Sequence, residues 1–194
     1  MLRVTSGMLR GFKLEVPKSA SVRPPLEMAR QAVFNILGQD LEGLRVADLF
    51  AGSGVIGIEA LSRGAVHVLF VEKDRDAVGC IKRNLEKTRM AGNAAVVAAD
   101  AFHTRRYLLD GEVFDLVFID PPFAASREAD SRAHLVGLID ELFSSPALAP
   151  GALLIIRVPS RGPVELQPSR AMLDDDRVYG SSRILFFRRA AGGE

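Results

Sequence analysis

Cysteine and tryptophan are nearly missing from this chain: 194 residues contain one Cys, no Trp and two Tyr. A lone Cys80 cannot form an internal disulfide, and with only His67, His103 and His134 scattered along the chain there is no Cys/His spacing for zinc. A reducing, cytoplasmic setting without a metal is therefore expected. Long apolar runs are missing too. The opening MLRVTSGMLRGFKLEVP lacks the apolar core of about 7–15 residues in a secretion signal, and no stretch nears the ~18 apolar residues of a membrane span. Neither a repeat period nor a low-complexity tract is present, apart from a short Ala-Gly-Gly-Glu tail. An excess of charge of one sign is also lacking. Lys+Arg 25 against Asp+Glu 24 leaves a net charge of +1, too little to make the whole surface attract a polyanion. The imbalance is local: the first thirty residues hold Arg3, Arg10, Lys13, Lys18, Arg23 and Arg30 against Glu15 and Glu27.

With 48% hydrophobic and 25% charged side chains, the composition is that of a globular domain. At this length roughly 70% of the unfolded surface can be buried without a staple. From Arg45 onward, short β-branched runs alternate with amphipathic stretches, the pattern of a parallel sheet with crossover helices. Strands are expected at Arg45–Phe50, Val66–Glu72, Ala95–Ala99, Phe114–Ile119 and Ala152–Val158, and helices at Ile56–Arg63, Asp76–Met90, Ala101–Leu109 and Leu135–Phe143. Val178–Phe187, split by Gly180, is expected to close one edge as a hairpin. Before this body, Arg3–Val16 alternates loosely around Gly7 and Gly11 as a small hairpin would, Pro17–Pro25 is rich in turn formers, and Leu26–Leu37 has helical spacing. The division expected is a basic hairpin-and-helix extension over 1–40 and a doubly wound α/β body over 41–190. Such sheets bind ligands outside the carboxyl ends of the strands, where the strand order reverses.

Asp48-Leu-Phe-Ala-Gly52-Ser-Gly54-Val-Ile-Gly57 leaves the first strand of that body and enters a helix, satisfying GxGxxG. The motif alone has three readings: a tight packing turn, a dinucleotide site with pyrophosphate on the helix N-terminus, or a site for S-adenosylmethionine. Glu72, ending the second strand, suits the ribose hydroxyls of either ligand. Asp48 favours the third reading, because a carboxylate at that point repels a diphosphate and attracts an amino group and a sulfonium. Asp100-Ala101-Phe102 places a carboxylate and an aromatic where an adenine would lie, although Asp100 also reads as a helix cap.

Asp120-Pro121-Pro122-Phe123 follows the fourth strand. Two consecutive prolines fix the backbone and remove two N–H donors, leaving the Pro121 carbonyl to accept beside the Asp120 carboxylate. Two acceptors match the two hydrogens of an exocyclic amine, and Phe123 offers a flat face to the attached base. Accepting both hydrogens favours a pyramidal nitrogen whose lone pair is aimed at an electrophile, so positioning supplies much of the rate. The alternative is a rigid turn with Phe123 tucked into the core.

Together these residues resemble the guanine-N2 methyltransferases of small-subunit ribosomal RNA. The resemblance runs from Arg3-Val-Thr-Ser-Gly7 and Arg10-Gly11 through Arg23-Pro24, Arg30, Phe34-Asn35, Asp48–Gly54, Glu59-Ala-Leu-Ser-Arg63, Glu72, Asn84-Leu85, Asp100-Ala101 and Asp120–Phe123 to Tyr179-Gly180. It departs from the family's Thr-x-Asp and Arg-Glu at Pro25-Leu-Glu27 and Arg30-Gln31. The resemblance implies a Rossmann-like class I S-adenosylmethionine-dependent methyltransferase: a mostly parallel seven-stranded sheet, helices on both faces, and a small N-terminal β-hairpin extension. It implies cofactor contacts at Asp48, Phe50, Ala51, Gly52, Ser53, Gly54, Glu72 and Lys73, and at Asp100 and Ala101 beside the adenine. Asp120, Pro121, Pro122 and Phe123 would receive the target guanine, and Arg3, Arg10, Lys13, Arg23 and Asn35 the RNA. The implied substrate is 16S RNA in the small ribosomal subunit or an assembly intermediate, with a monomeric enzyme and no membrane.

Three rival readings remain at this level: N6-adenine methylation of DNA, which the same tetrapeptide serves; a nicotinamide-dependent dehydrogenase, which GxGxxG permits; and a non-catalytic RNA-binding assembly factor. The roughly 40-residue arm is short for a DNA-recognition domain, and no histidine is tied to a Lys, Tyr or Ser as a dehydrogenase would need.

Overall fold

The computed structural model describes residues 2–17, 24–38, 40–109, 111–123, 129–162 and 165–190. Lys18, Arg23 and the 191–194 tail lie outside the described residues. A two-stranded ladder, β1 (Leu2–Arg3) against β2 (Lys13–Leu14), opens the chain, followed by α1 (Pro24–Leu37). The body continues through β3 (Arg45–Leu49), α2 (Val55–Ser62), β4 (His67–Glu72), α3 (Arg75–Thr88), β5 (Ala94–Ala98), β6 (Phe114–Ile119), α4 (Ala129–Ser144), β7 (Leu148–Pro159), β8 (Ala171–Tyr179) and β9 (Ser182–Arg189).

The sheet runs β5-β4-β3-β6-β7-β9-β8, with every pair from β5 to β7 parallel and β9 antiparallel to both neighbours. The chain steps outward from β3 to β4 and β5, then returns to place β6 on the other side of β3. The switch point therefore lies between the carboxyl ends of β3 and β6, the position at which doubly wound sheets open a crevice.

Alternation along each strand builds two cores. Val46, Val68, Phe70, Leu116 and Phe118 face one side, where α1 adds Val33 and Phe34, α2 adds Ile58, α3 adds Ile81 and Leu85, and the N-terminal arm adds Leu2, Val4 and Leu14. Ala47, Leu49, Leu69, Val71 and Ile119 face the other, covered by α4 through Leu135, Ile139 and Phe143. Close approach of α2 to the sheet requires Gly57: a methyl there would stand 2.3 Å from the Phe70 ring. Phe70 is fully buried, and burying a phenyl group stabilises by about 1.5–3 kcal/mol. Asp74 caps α3 by accepting from Ala77 N at 2.8 Å.

Two expectations need correction, while the small N-terminal hairpin forms as expected. Ala101–Leu109 is not a helix; only a single 3₁₀ turn forms at Thr104–Arg106, because buried Tyr107 turns its hydroxyl back to donate to the Ala101 carbonyl at 2.6 Å. The closing hairpin begins at Ala171 rather than Val178. Its charged start was unreadable as a strand because β8 is an edge, where Asp174, Asp175 and Asp176 pair with Arg188, Arg177 and Arg183 instead of entering the core. In the arm, only two residues per strand pair, and the intervening turns dock on α2. A methyl on Gly7 would fall 1.8 Å from the Ser62 carbonyl oxygen, which accepts from Met8 N at 2.8 Å.

Candidate active site

The turn leaving β3 carries backbone conformations that side chains resist. Phe50 has φ +60°, an outlier for a bulky residue, and Gly52 and Gly54 follow at +55° and +75°. This strained turn wraps the first turn of α2 around a cavity of about 520 Å³ at the switch point. Glu72 fixes the turn by accepting from Gly52 N and, with its other oxygen, from Asp74 N, each at 2.8 Å.

Most of the residues expected at the cofactor face this cavity. Phe50, Ala51, Gly52 and Ser53 line it from the turn, Glu72 and Lys73 from the end of β4, and Ala101 from beyond β5. Asp120, Pro121 and Pro122 line it from the end of β6. Asp48, Gly54, Asp100 and Phe123 stand outside that lining. Asp48 is fully buried beneath the turn, where one oxygen accepts from Gly57 N at 2.9 Å and Oδ1 finds no partner among the described residues. Burial pushes its carboxyl well above the usual range against the Gly57 N–H, and the charges of Asp120 and Glu72 add to the push. Asp100 accepts from Phe102 N at 3.1 Å and Lys73 Nζ at 3.2 Å. Burial works upward on it, but those two donors outweigh it and leave the carboxyl below its ordinary value.

Two features of the site escaped sequence reasoning. Arg157 of β7 lines the cavity, donates to the Asp120 carboxylate, and lies over the Phe123 ring with its guanidinium carbon 4.5 Å from the centroid. Burial raises Asp120 above its usual range while Arg157 holds it down. The signal was present: one charge interrupts the apolar run Leu153-Leu-Ile-Ile-Arg157-Val near a strand's carboxyl end. The second is a buried node at Glu59. Its carboxylate accepts from Thr5 N at 2.8 Å, Thr5 Oγ1 at 2.5 Å, Ser6 N at 3.0 Å, Arg30 at 2.5 Å and Arg63 at 2.8 and 3.1 Å. Arg30 also donates to the Arg3 carbonyl at 2.9 Å, so this member of the basic segment is buried and structural. Arm and helix thereby become cavity wall, contributing Leu2 and Val16, then Glu27, Ala29, Arg30 and Phe34.

Arg3, Arg10, Lys13 and Asn35 are exposed and stand outside the cavity lining. Arg3 also braces its own turn by donating to Gly11 O at 3.1 Å. Among the described residues there is no cluster of three or more His, Cys, Asp or Glu able to hold a metal ion, and no helix is long and apolar enough to cross a membrane.

The donor set fits S-adenosylmethionine. Asp48, Glu72 and Asp120 end three adjacent strands closely enough for the charges of Glu72 and Asp120 to push on Asp48, whose buried Oδ1 finds no donor among the described residues. A ligand bearing an ammonium and a sulfonium relieves that repulsion, whereas a diphosphate adds to it. Glu72 and Lys73 would hold the ribose end, Ala101 the adenine side, and the 50–53 turn the amino-acid portion.

The chain matches the family described as conserved hypothetical protein 95 over residues 2–188. It is 34% identical over 194 residues to ribosomal RNA small subunit methyltransferase D of Escherichia coli K12, covering all of this chain and 92% of that one. It is 38% identical over 141 residues to YlbH of Bacillus subtilis, an inferred rRNA methyltransferase, covering 72% and 74% of the two chains. Its fold is similar to the solved structure of Escherichia coli yhhF, an inferred methyltransferase, with a TM-score of 0.78, 30% identity and 98% of each chain covered. Sheet order, cavity and relatives agree that the chain belongs to the conserved hypothetical protein 95 family and is a Rossmann-like S-adenosylmethionine-dependent methyltransferase.

Proposed function

We propose that the enzyme methylates the exocyclic N2 amine of a guanine in the RNA of the small ribosomal subunit. The single observation carrying this reading is that Asp120, whose carboxylate accepts from Arg157, lines the cavity side by side with Pro121. Among the described residues no backbone N–H donates to the Pro121 carbonyl. Together the two oxygens accept both hydrogens of an aromatic amine, which draws its lone pair out of the ring and aims it into the cavity. Bound S-adenosylmethionine supplies an electrophilic methyl group. Asp120 then takes the proton that leaves the nitrogen after transfer, and the Arg157 guanidinium stabilises that carboxylate until it does. In this reading the Phe123 ring stacks the base, a contact worth about 1–3 kcal/mol, comparable with the cost of extruding an unpaired base.

The choice of ribosomal RNA rests on the name of the full-length relative and on the exposed cations of the arm within residues 1–40. Arg3, Arg10 and Lys13 grip phosphates, a sequence-independent contact that weakens with salt. The substrate guanine lies in a loop or end of the folded RNA, as free 16S RNA or within a partly assembled subunit. The enzyme works as a cytoplasmic monomer.

The test is incubation of small subunits lacking the modification with labelled methyl donor, followed by nucleoside analysis. N2-methylguanosine is expected; N6-methyladenosine would overturn the choice of base. Asp120→Ala should lose incorporation while still binding S-adenosylhomocysteine and RNA, and retained incorporation would remove Asp120 from the role.

A further inference from the structure

Arg157 reaches both ends of the Asp120–Phe123 tetrapeptide. It arises from β7, the parallel neighbour of β6, at the register where Ile119 lies opposite Ile156. Asp120 and Arg157 thus each stand one residue past the last pair of the β6–β7 ladder, with Arg157 still paired to β9 at Ile184. The side chain is only 17% exposed, and it meets two different groups with two different parts of its chemistry. Its Nε–H donates to Asp120 Oδ1, and its flat face lies on the Phe123 ring. Guanidinium is the one cationic side chain suited to both, a planar donor fork that also stacks.

Resting on the aromatic-amine reading above, we propose that Arg157 is a positioning residue for methyl transfer, one guanidinium holding the acceptor oxygen of Asp120 and the stacking ring of Phe123 in fixed relation to one another. The amine must present two hydrogens to Asp120 and Pro121 while its base lies flat on Phe123. Those demands conflict unless carboxylate and ring keep one geometry. With Oδ1 engaged by Arg157, the carboxylate plane is fixed and Oδ2 is left for the amine.

The charge matters along with the shape. Asp120 faces Arg157 from β7 and Asp48 from β3, while Glu72 and Lys73 from the end of β4 and Glu27 and Arg30 from α1 share the same cavity. Arg157 is the group in that set that works downward on the Asp120 carboxyl against the upward push of burial. Without it, the acceptor is protonated at a higher pH and cannot take the amine's hydrogen.

Two variants separate charge from shape. Arg157→Gln keeps a donor and loses the charge; its kcat should fall by about 10–100-fold near neutral pH, with the acid limb of kcat against pH moved upward. Arg157→Lys keeps the charge and loses the flat face; its acid limb should stay where the native one lies while KM for RNA rises. Urea denaturation and calorimetry with S-adenosylhomocysteine establish that each variant is folded and binds the cofactor site. A folded Arg157→Gln with the native kcat and the native acid limb overturns the proposal, as does an acid limb that moves equally in both variants. The comparison is made on whichever methylated nucleoside the native enzyme produces. A product other than N2-methylguanosine therefore defeats the choice of base without touching the role of Arg157.

Discussion

Replacing Glu59 with glutamine should unfasten the N-terminal arm, and the cost can be worked from its hydrogen bonds. One oxygen accepts from Thr5 Oγ1, Ser6 N and both donors of Arg63; the other accepts from Thr5 N and Arg30. Every group around the carboxylate is a donor. Whichever way the new amide is turned, its NH2 faces donors, and two buried arginines with side chains 5% and 2% exposed lose their countercharge. Breaking a buried pair by removing one partner costs about 3–5 kcal/mol, a large share of a total stability of about 5–15 kcal/mol. With a urea slope near 2 kcal/mol/M, the midpoint should fall by about 2 M. Amide exchange gives the local readout: Thr5 and Ser6 N–H should exchange faster than β3 and β6 of the same variant. A midpoint within about 0.5 M of native, or unchanged exchange at Thr5 and Ser6, would refute the reasoning.

Asp48→Asn bears on pH. Its folded carboxyl lies well above the unfolded value, so folding takes up a proton, and stability is fully present below the unfolded pKa and is lost as pH rises towards the folded one. The melting temperature of Asp48→Asn minus that of the native protein should therefore grow from pH 4 to pH 8; a constant difference would show that the carboxylate is not strained by burial. Gly57→Ala sets helix propensity against space. Alanine gains about 1 kcal/mol in a helix interior, but its methyl would meet the Phe70 ring at 2.3 Å, and overpacking costs about 1–3 kcal/mol. The melting temperature should fall, and a rise would mean that α2 can lift without loss.

The strands of the body were legible because parallel strands buried on both faces are written as continuous apolar runs, as in His67–Glu72 and Phe114–Ile119. The glycine turn was legible because Gly52 and Gly54 mark positive φ, and the site because chemistry gathers at the strand ends that follow. Failures came where a tertiary contact overrides local pattern. Tyr107 bends 101–107 away from a helix, and a sequence window cannot see the Ala101 carbonyl that it binds. Arg30 looked like one more cation of a basic arm, because its partner Glu59 lies twenty-nine residues away. Arg157 was lost inside the strand expected at Ala152–Val158, which forms as part of β7. Its Asp120 partner is thirty-seven residues distant and is reached only because β6 and β7 are neighbours.

That Leu2 and Val16 stand in the wall of the donor chamber restricts how this architecture can change its target. In an enzyme whose RNA reader is a separate module, readers can be exchanged wholesale. Here a foreign segment spliced in place of the arm would breach the wall of the cavity, and Glu59 would lose the Thr5 and Ser6 donors it accepts from. On the proposed reading of the arm as the RNA contact, new targets come instead by altering side chains on its outer surface while its backbone stays where it is.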